Sequence, residues 1–191
     1  MISFLRQPII SFLFKAIVIW LLWLLVYGIM FKKDEINDPI TLFEANITSK
    51  VFNLLGYNVS LSNNESIKYL NFSGEETIFS NKQFIIINNK PIIAIESACN
   101  GLELFALFLG FLIAFGGRKK LTLFLILGLA SIFVLNTIRI IAITWISMFD
   151  REQANFHHHY TFMFIIYGYI LWLWYKWTVI QSLNQNVENE K

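Results

Sequence analysis

The chain has very little of what usually stabilises small exported proteins or binds metal ions. Its 191 residues include one cysteine, Cys99, which excludes an internal disulfide and a cysteine-rich metal site. Charged residues make up 15% of the chain and the net charge is +2, so there is no electrostatic basis for a nucleic-acid partner. The single thiol is therefore either incidental or chemically active.

Apolar side chains, in contrast, are abundant. The chain is 56% hydrophobic and 17% aromatic, whereas a soluble domain is about 45–50% apolar, and long uncharged runs indicate membrane spans. We therefore predict an α-helical polytopic membrane protein with about four transmembrane helices and a small β-containing extracytoplasmic lobe. The apolar runs that would form the spans are residues 12–31, 102–117, 121–149 and 160–177.

Positive charges predict how these spans are oriented. Arg6 and Lys15 lie at the start of the first run, and Arg118-Lys119-Lys120 separates the second run from the third. Cations favour the cytoplasmic side, so both ends of the chain should be cytoplasmic. A cleaved signal peptide is the alternative for the first run. That run is long and ends in Gly-Ile-Met-Phe-Lys-Lys rather than in a small-residue cleavage site, so we expect an uncleaved anchor.

These assignments divide the chain into four parts. They are an N-terminal cytoplasmic segment with the first transmembrane helix (1–31), an extracytoplasmic β-rich lobe (32–96), a three-helix membrane core (97–180) and a frayed cytoplasmic tail (181–191). In the lobe, Val51–Tyr57 is predicted to form a short helix. Phe84–Ile87 and Ile92–Ile95 are rich in β-branched residues and flank the turn-forming Asn88–Pro91, which predicts a hairpin. Residues 150–156 are predicted to form a short polar loop on the outer side.

Three chemically distinctive features reach one depth in this arrangement. Cys99 precedes the second span, and the triplet His157-His158-His159 precedes the fourth. Arg139 follows Leu121 by 18 residues, which is about 27 Å of helical rise in a hydrocarbon core of ~30 Å. Each feature has an ordinary explanation as well. A lone cysteine is often a small core residue, an arginine can snorkel to the headgroups, and histidines can form a solvated patch or a weak metal site.

Taken together, the three residue types suit nucleophilic catalysis. A thiolate is a nucleophile that neighbouring cations favour, an imidazole can take its proton, and a guanidinium can hold a developing oxyanion. Asn136 lies one helical turn before Arg139 and is a candidate to brace it. Glu96 and Glu103 flank the thiol and could pair with Arg139 or with an imidazolium, but we interpret them as ordinary interfacial charges.

The motifs that carry these residues resemble those of a known family. Ala98-Cys99-Asn100-Gly101-Leu102, then Asn136-Thr137-Ile138-Arg139-Ile140, then a histidine cluster before the last span, is similar to the exosortase/archaeosortase family, and the small number of spans is similar to the compact F-type exosortases. The resemblance implies a membrane-embedded cysteine protease or transpeptidase that cleaves C-terminal sorting signals. It implies Cys99 as nucleophile, Arg139 as the catalytic arginine, and His157, His158 or His159 as base, of which we choose His158.

The resemblance also implies where the protein acts and on what. The expected partners are exported proteins whose C-terminal sorting signal holds a transmembrane helix, together with the lipid bilayer and an associated small membrane protein. The expected location is the bacterial cytoplasmic (inner) membrane, with a multi-pass topology and the active site facing outward. No cofactor or metal is expected. Two other classes stay open: a non-enzymatic membrane assembly factor for surface-protein or polysaccharide export, and a metal or haem protein that uses the histidines.

Overall fold

The computed structural model describes residues 8–30, 37–62, 69–70, 76–77, 83–96, 99–116 and 120–189. Its helices are α1 (Pro8–Met30), α2 (Asn37–Leu54), α3 (Leu102–Phe115), α4 (Leu121–Ser147), α5 (Arg151–Phe156) and α6 (Phe162–Asn189), with a π-helical turn at His157–Thr161 between the last two. Its strands are β1 (Val59–Ser62), β2 (Tyr69–Leu70), β3 (Glu76–Thr77), β4 (Gln83–Ile87) and β5 (Lys90–Ile95). The predicted N-terminal cytoplasmic segment before Pro8, and Arg118 and Lys119, lie outside the described residues.

Two of the described helices are long and apolar enough to cross a membrane. They are α4 and the continuous helix over Arg151–Leu183, while α1 and α3 contribute the shorter apolar stretches Ile10–Leu25 and Leu102–Phe115. The helix α3 has 14 residues, so its rise of about 21 Å falls short of a ~30 Å hydrocarbon core. These helices fit a membrane protein, and the count of about four spans stays a prediction.

The helices α3, α4 and α6 pack together around one apolar cluster. Its buried members are Leu104, Phe108, Leu112, Ile132, Ile166, Ile170, Leu173 and Trp177. Gly128 lets α4 approach α3 closely, because a Cβ at this position would lie 2.2 Å from Cζ of Phe108. At the other end of α3, Nε1 of Trp177 donates a hydrogen bond of 3.1 Å to the carbonyl of Gly116. The three helices therefore form one packed unit.

The sheet of the lobe contains the predicted hairpin. Strands β4 and β5 pair antiparallel, and β1 pairs with the other edge of β4. The turn between β4 and β5 is Asn88-Asn89, whose φ angles of 51° and 64° fit the two-residue turns that favour asparagine. The hairpin is confirmed, although its turn is shorter than Asn88–Pro91 because Lys90 already begins β5.

The lobe also contains a helix that is much longer than predicted. Instead of a short helix at Val51–Tyr57, α2 covers Asn37–Leu54. Its buried face carries polar residues, which conceals the helical pattern from a hydropathy reading; the residues on that face are Thr41, Glu44, Ala45, Thr48, Ser49 and Phe52. In the described part of the lobe, a helix therefore packs on an antiparallel sheet.

The lobe packs onto the second half of α4. Ile140 of α4 belongs to the apolar cluster of the lobe, whose other buried members are Ala45, Phe52, Ile85, Ile87, Ile93 and Ile95. Trp145 of α4 contacts Phe52 and Tyr57, with ring centroids 6.1 and 6.0 Å apart respectively. Burial of apolar surface thus joins the lobe and the helical unit near Arg139.

Two predicted irregular segments are helical. Residues 150–156 were expected to form a polar loop, but Asp150 caps α5 by accepting a hydrogen bond of 3.0 Å from the backbone N–H of Gln153. The acidic cap explains why a polar sequence is helical here. In the predicted frayed tail (181–191), α6 continues to Asn189 and Gln181 is buried.

Candidate active site

Cys99 is held in a tight connection between β5 and α3. Its backbone N–H donates to the carbonyl of Glu96 at 2.8 Å. The next residue, Asn100, is buried: its Oδ1 accepts from the N–H of Leu102 at 3.0 Å, and its Nδ2 donates to Oγ1 of Thr41 at 3.3 Å. These bonds fix the chain on both sides of the thiol.

Gly101 is required for this connection to close. Its φ of 79° lies in the left-handed region that favours glycine. A Cβ here would also lie 3.2 Å from Nδ2 of Asn136, so a side chain would press against the amide of that residue. The Asn-Gly pair after the cysteine therefore allows the thiol-bearing turn to sit directly against α4.

Arg139 is buried within the protein. The residue is only 9% exposed, and its guanidinium donates to Oδ1 of Asn136 at 3.5 Å and to Nε2 of His158 at 2.9 Å. Among the described residues Nε of Arg139 has no hydrogen-bond partner. These hydrogen bonds hold the guanidinium inside the protein and leave one N–H donor available. A snorkelling arginine would instead direct its guanidinium to the lipid headgroups.

Of the three adjacent histidines, His158 is the one that contacts both other predicted residues. Its Nε2 lies 2.9 Å from the guanidinium of Arg139 and 3.8 Å from Sγ of Cys99. Nδ1 of His157 instead contacts Oγ1 of Thr161 at 3.0 Å, and Nδ1 of His159 contacts the carbonyl of Asn155 at 3.1 Å. The π-helical turn at His157–Thr161 sets these directions; such turns are frequent at functional sites.

The contact with Arg139 determines the tautomer of His158. A guanidinium has only donors, so Nε2 of His158 must present its lone pair to Arg139 and the proton of the neutral ring resides on Nδ1. The same lone pair faces the thiol at 3.8 Å. In the resting site, the Nε2 lone pair that would accept the thiol proton therefore already accepts a hydrogen bond from the guanidinium.

Asn136 links the arginine to the cysteine segment, as the spacing predicts. The residue is fully buried, and its Nδ2 donates to the carbonyl of Cys99 at 3.0 Å and to Oε1 of Glu44 at 3.3 Å. Both partners are acceptors, so the amide must point its NH₂ toward them and its oxygen toward Arg139. The orientation of the amide is thus fixed by three neighbours.

Glu44 is a site residue that sequence reasoning missed. It lies on α2, is fully buried, and its Oε2 accepts from Oγ1 of Thr137 at 2.8 Å. Burial raises the pKa of the Glu44 carboxyl above its usual value, and the hydrogen bonds from Thr137 and Asn136 act in the opposite direction. By contrast, Glu96 and Glu103, which are closer in sequence to the thiol, are exposed. The sequence carries no local signal of the burial of Glu44, because the buried helix face that it shares with Thr41 and Thr48 is polar.

The candidate residues line a small cavity of about 40 Å³. Its polar side is formed by Cys99, Arg139 and His158, and its other lining residues are Ile93, Ala94, Ile95, Ile140 and Ile143. A thiol, a guanidinium and an imidazole thus meet against an apolar wall, and apolar surroundings strengthen electrostatic interactions. Within the described ranges, no group of three or more histidine, cysteine or acidic side chains converges to hold a metal ion.

Comparison with known families agrees with the motifs. The family model described as transmembrane exosortase, Exosortase_EpsH, matches residues 2–175, which confirms the family resemblance and includes every candidate residue from Glu44 to His158. The comparison with curated proteins and the comparison with solved structures each returned no match. The match is to the family as a whole, and the compact F-type subtype stays a prediction.

Proposed function

We propose, because the chain belongs to the transmembrane exosortase family, that it is a membrane-embedded cysteine transpeptidase that cleaves C-terminal sorting signals of exported proteins. The observation that carries the proposal is the convergence of three side chains from separate elements. Sγ of Cys99 and the guanidinium of Arg139 both contact Nε2 of His158, at 3.8 and 2.9 Å respectively. A nucleophile and a base within reach of each other, with the base held by a third group, is the general arrangement of an activated nucleophile.

In the first step of this proposal, Sγ of Cys99 attacks the scissile carbonyl of the substrate. The carbonyl oxygen gains negative charge and accepts hydrogen bonds from Arg139, whose Nε has no partner among the described residues. As the guanidinium turns toward this oxygen, the Nε2 lone pair of His158 is released and takes the thiol proton. Binding of a carbonyl thus activates the base.

In the second step, His158 returns this proton to the leaving amine. The C–N bond breaks, the tail segment departs as an amine, and the exported protein remains attached to Cys99 as a thioester. Attack by water or by an amine or hydroxyl acceptor then forms the new acyl bond and restores the thiol. The same imidazole serves as base and acid because the proton returns to it in each half of the reaction.

The length of α4 supports a site at the outer face. Lys120 precedes α4, and Arg139 follows Leu121 by 18 residues, which is about 27 Å of helical rise. If Lys120 lies at the cytoplasmic side, as cations favour, Arg139 is near the outer edge of a ~30 Å core. The lobe would then face outward and cover the site.

This location agrees with the expected substrate. A sorting signal that contains a transmembrane helix would lie in the bilayer beside α1, α3, α4 and α6, with the bond before that helix at the depth of Cys99. Only the reacting groups need to enter the cavity beside Cys99, Arg139 and His158, and the rest of the signal would be recognised on the lipid-facing side. The bilayer and an associated small membrane protein are the other partners in this proposal.

Replacement of Cys99 tests the function directly. In cells that produce an exported protein with such a C-terminal tail, we expect the unmodified enzyme to shorten that protein and release it from the membrane. Cys99→Ala and Cys99→Ser should leave it at full length and membrane-bound, while Glu103→Gln, an exposed position close to the thiol, should process it normally. Normal processing by both Cys99 variants would instead identify a non-enzymatic assembly factor.

A further inference from the structure

We propose that Glu44, on α2 of the lobe, is a positioning residue of the active site, and that it acts by holding Asn136. The inference rests on the proposed function of Cys99 and Arg139. It adds to that function a residue from the lobe, outside the three-helix unit that carries the arginine and the histidine.

The carboxylate of Glu44 accepts hydrogen bonds from two consecutive residues of α4. Oε1 accepts from Nδ2 of Asn136 at 3.3 Å, and Oε2 accepts from Oγ1 of Thr137 at 2.8 Å. Because both oxygens are used, the carboxylate cannot rotate without losing a bond. Glu44 is 0% exposed and Asn136 is 0% exposed, so water does not compete for these donors.

These hydrogen bonds determine the orientation of the Asn136 amide. Nδ2 has two hydrogens, and its two partners are the carboxylate of Glu44 and the carbonyl of Cys99. Its Oδ1 is therefore left to accept from Arg139. A neutral amide at position 44 could offer an NH₂ group to Asn136, and the orientation of that residue would no longer be enforced.

The link from Glu44 through Asn136 also gives Arg139 a counter-charge without occupying more of its N–H donors. A buried guanidinium without a counter-charge is unfavourable. Among the described residues Glu44 is the carboxylate to which Arg139 is linked by hydrogen bonds, through Asn136. A direct salt bridge would occupy guanidinium donors that the proposed reaction needs. The intervening amide leaves Nε of Arg139 without a partner in the described part of the chain.

A second contact from the same helix face supports the role of α2. Oγ1 of Thr41, one turn before Glu44, accepts from Nδ2 of Asn100, which follows the nucleophile. The lobe thus holds the cysteine segment directly and the arginine through Asn136. A small shift of α2 would move both groups, and misplacement by about 1 Å can reduce a catalytic rate by about 100-fold.

The pH dependence of Cys99 alkylation distinguishes positioning from other roles. We would treat the full-length protein, in detergent, with iodoacetamide and follow the mass increase, since Cys99 is the only thiol in the chain. The nearly isosteric Glu44→Gln should loosen Arg139 and weaken its stabilisation of the thiolate. We expect the midpoint of the alkylation curve to rise by about one pH unit, the lower end of the effect of a neighbouring charge. Glu44→Asp, which retains the charge, should give a smaller rise.

Matched variants keep the test independent of folding. Thr48→Val removes another buried polar group of α2, whose hydroxyl donates only within the helix, to the carbonyl of residue 44 at 2.9 Å. It should lower the melting temperature without moving the alkylation midpoint, and the exposed Glu103→Gln should change neither. If Glu44→Gln fails to fold, Thr137→Val can replace it. This variant removes the second hydrogen bond to the Glu44 carboxylate and should likewise raise the alkylation midpoint.

Two results would overturn the proposal. An unchanged midpoint in Glu44→Gln or Thr137→Val would assign the carboxylate a structural role only. A midpoint that falls would indicate a simple through-space charge effect, because the loss of a nearby negative charge favours a thiolate. Neither result depends on a substrate, so this proposal can fail while Cys99-dependent processing persists, and it can hold where processing is absent.

Discussion

Replacement of Arg139 by lysine keeps the positive charge but removes the planar set of donors, and we expect it to abolish most processing. The guanidinium reaches Nε2 of His158 at 2.9 Å and Oδ1 of Asn136 at 3.5 Å in two directions. It also retains Nε, which has no partner among the described residues. A lysine ammonium is a compact point charge without the planar fork of donors, so it cannot keep the hydrogen bond to Asn136 while it presents a further nitrogen to the substrate oxygen.

The size of the effect follows from the donor that is lost. Removal of one donor to a developing oxyanion typically lowers the rate by about 10²–10³, or about 2.7–4 kcal/mol. The folded protein should be less affected, because the positive charge remains and one hydrogen bond, to Asn136, is lost. A net hydrogen bond contributes about 0.5–1.5 kcal/mol, so we expect Arg139→Lys to insert and fold.

The assay is the rate at which a tailed exported protein is shortened in membranes that contain each variant. Arg151→Lys is the matched control, because Arg151 also donates from its guanidinium to another element, at 3.3 Å to the carbonyl of Pro91. We expect the control to process substrate at close to the normal rate. Processing by Arg139→Lys within a few-fold of normal would refute the donor argument and leave Arg139 only a charge.

Three further predictions follow from the same contacts. His158→Ala should slow processing by about 10²–10⁴, the usual contribution of a general base, whereas alanine at either neighbouring histidine should not; equal losses in all three variants would contradict the assignment. In a Cys99→Ala background, an impermeant thiol reagent applied to intact cells should label Ser60→Cys in the lobe and not Lys119→Cys, and the reverse pattern would refute the topology. Since burial raises the pKa of Glu44 above the usual value of 4.5, the folded state holds this proton more tightly, so stability should fall as pH rises through the raised value. Melting temperatures across pH should show a steeper fall in the unmodified protein than in Glu44→Gln, and an equal slope would argue against an ionising Glu44.

Much of the site was predictable because helices convert sequence separation into depth. The constant rise of 1.5 Å per residue was enough to bring Arg139 to the level of Cys99 and the histidines. The hairpin was predictable for a similar reason, since its signal is local: two asparagines between β-branched runs. In both cases the signal lies within one short stretch of chain: the 18 residues from Leu121 to Arg139, and the two runs that flank Asn88 and Asn89.

What the sequence could not reveal depends on contacts between distant segments. Glu44 and Asn136 are 92 residues apart, and a carboxylate on a polar helix has no local mark of burial. The choice among three consecutive histidines is a question of direction, since successive side chains on a helix point about 100° apart. The π-helical turn that sets this direction has no simple sequence signature.

The contacts of α2 make the lobe part of the candidate site. Each proposed catalytic group is held by a neighbouring residue: the cysteine segment by Thr41 of α2 through Asn100, the arginine by Asn136 of the same helix, and the imidazole by Arg139. Asn136 is itself held by Glu44 of α2. A three-helix unit without α2 would therefore retain Cys99, Arg139 and His158. It would lose the hydrogen bonds that hold the cysteine segment and, through Asn136, the arginine. We therefore propose that the catalytic core predicted at 97–180 needs α2 to hold its site in place.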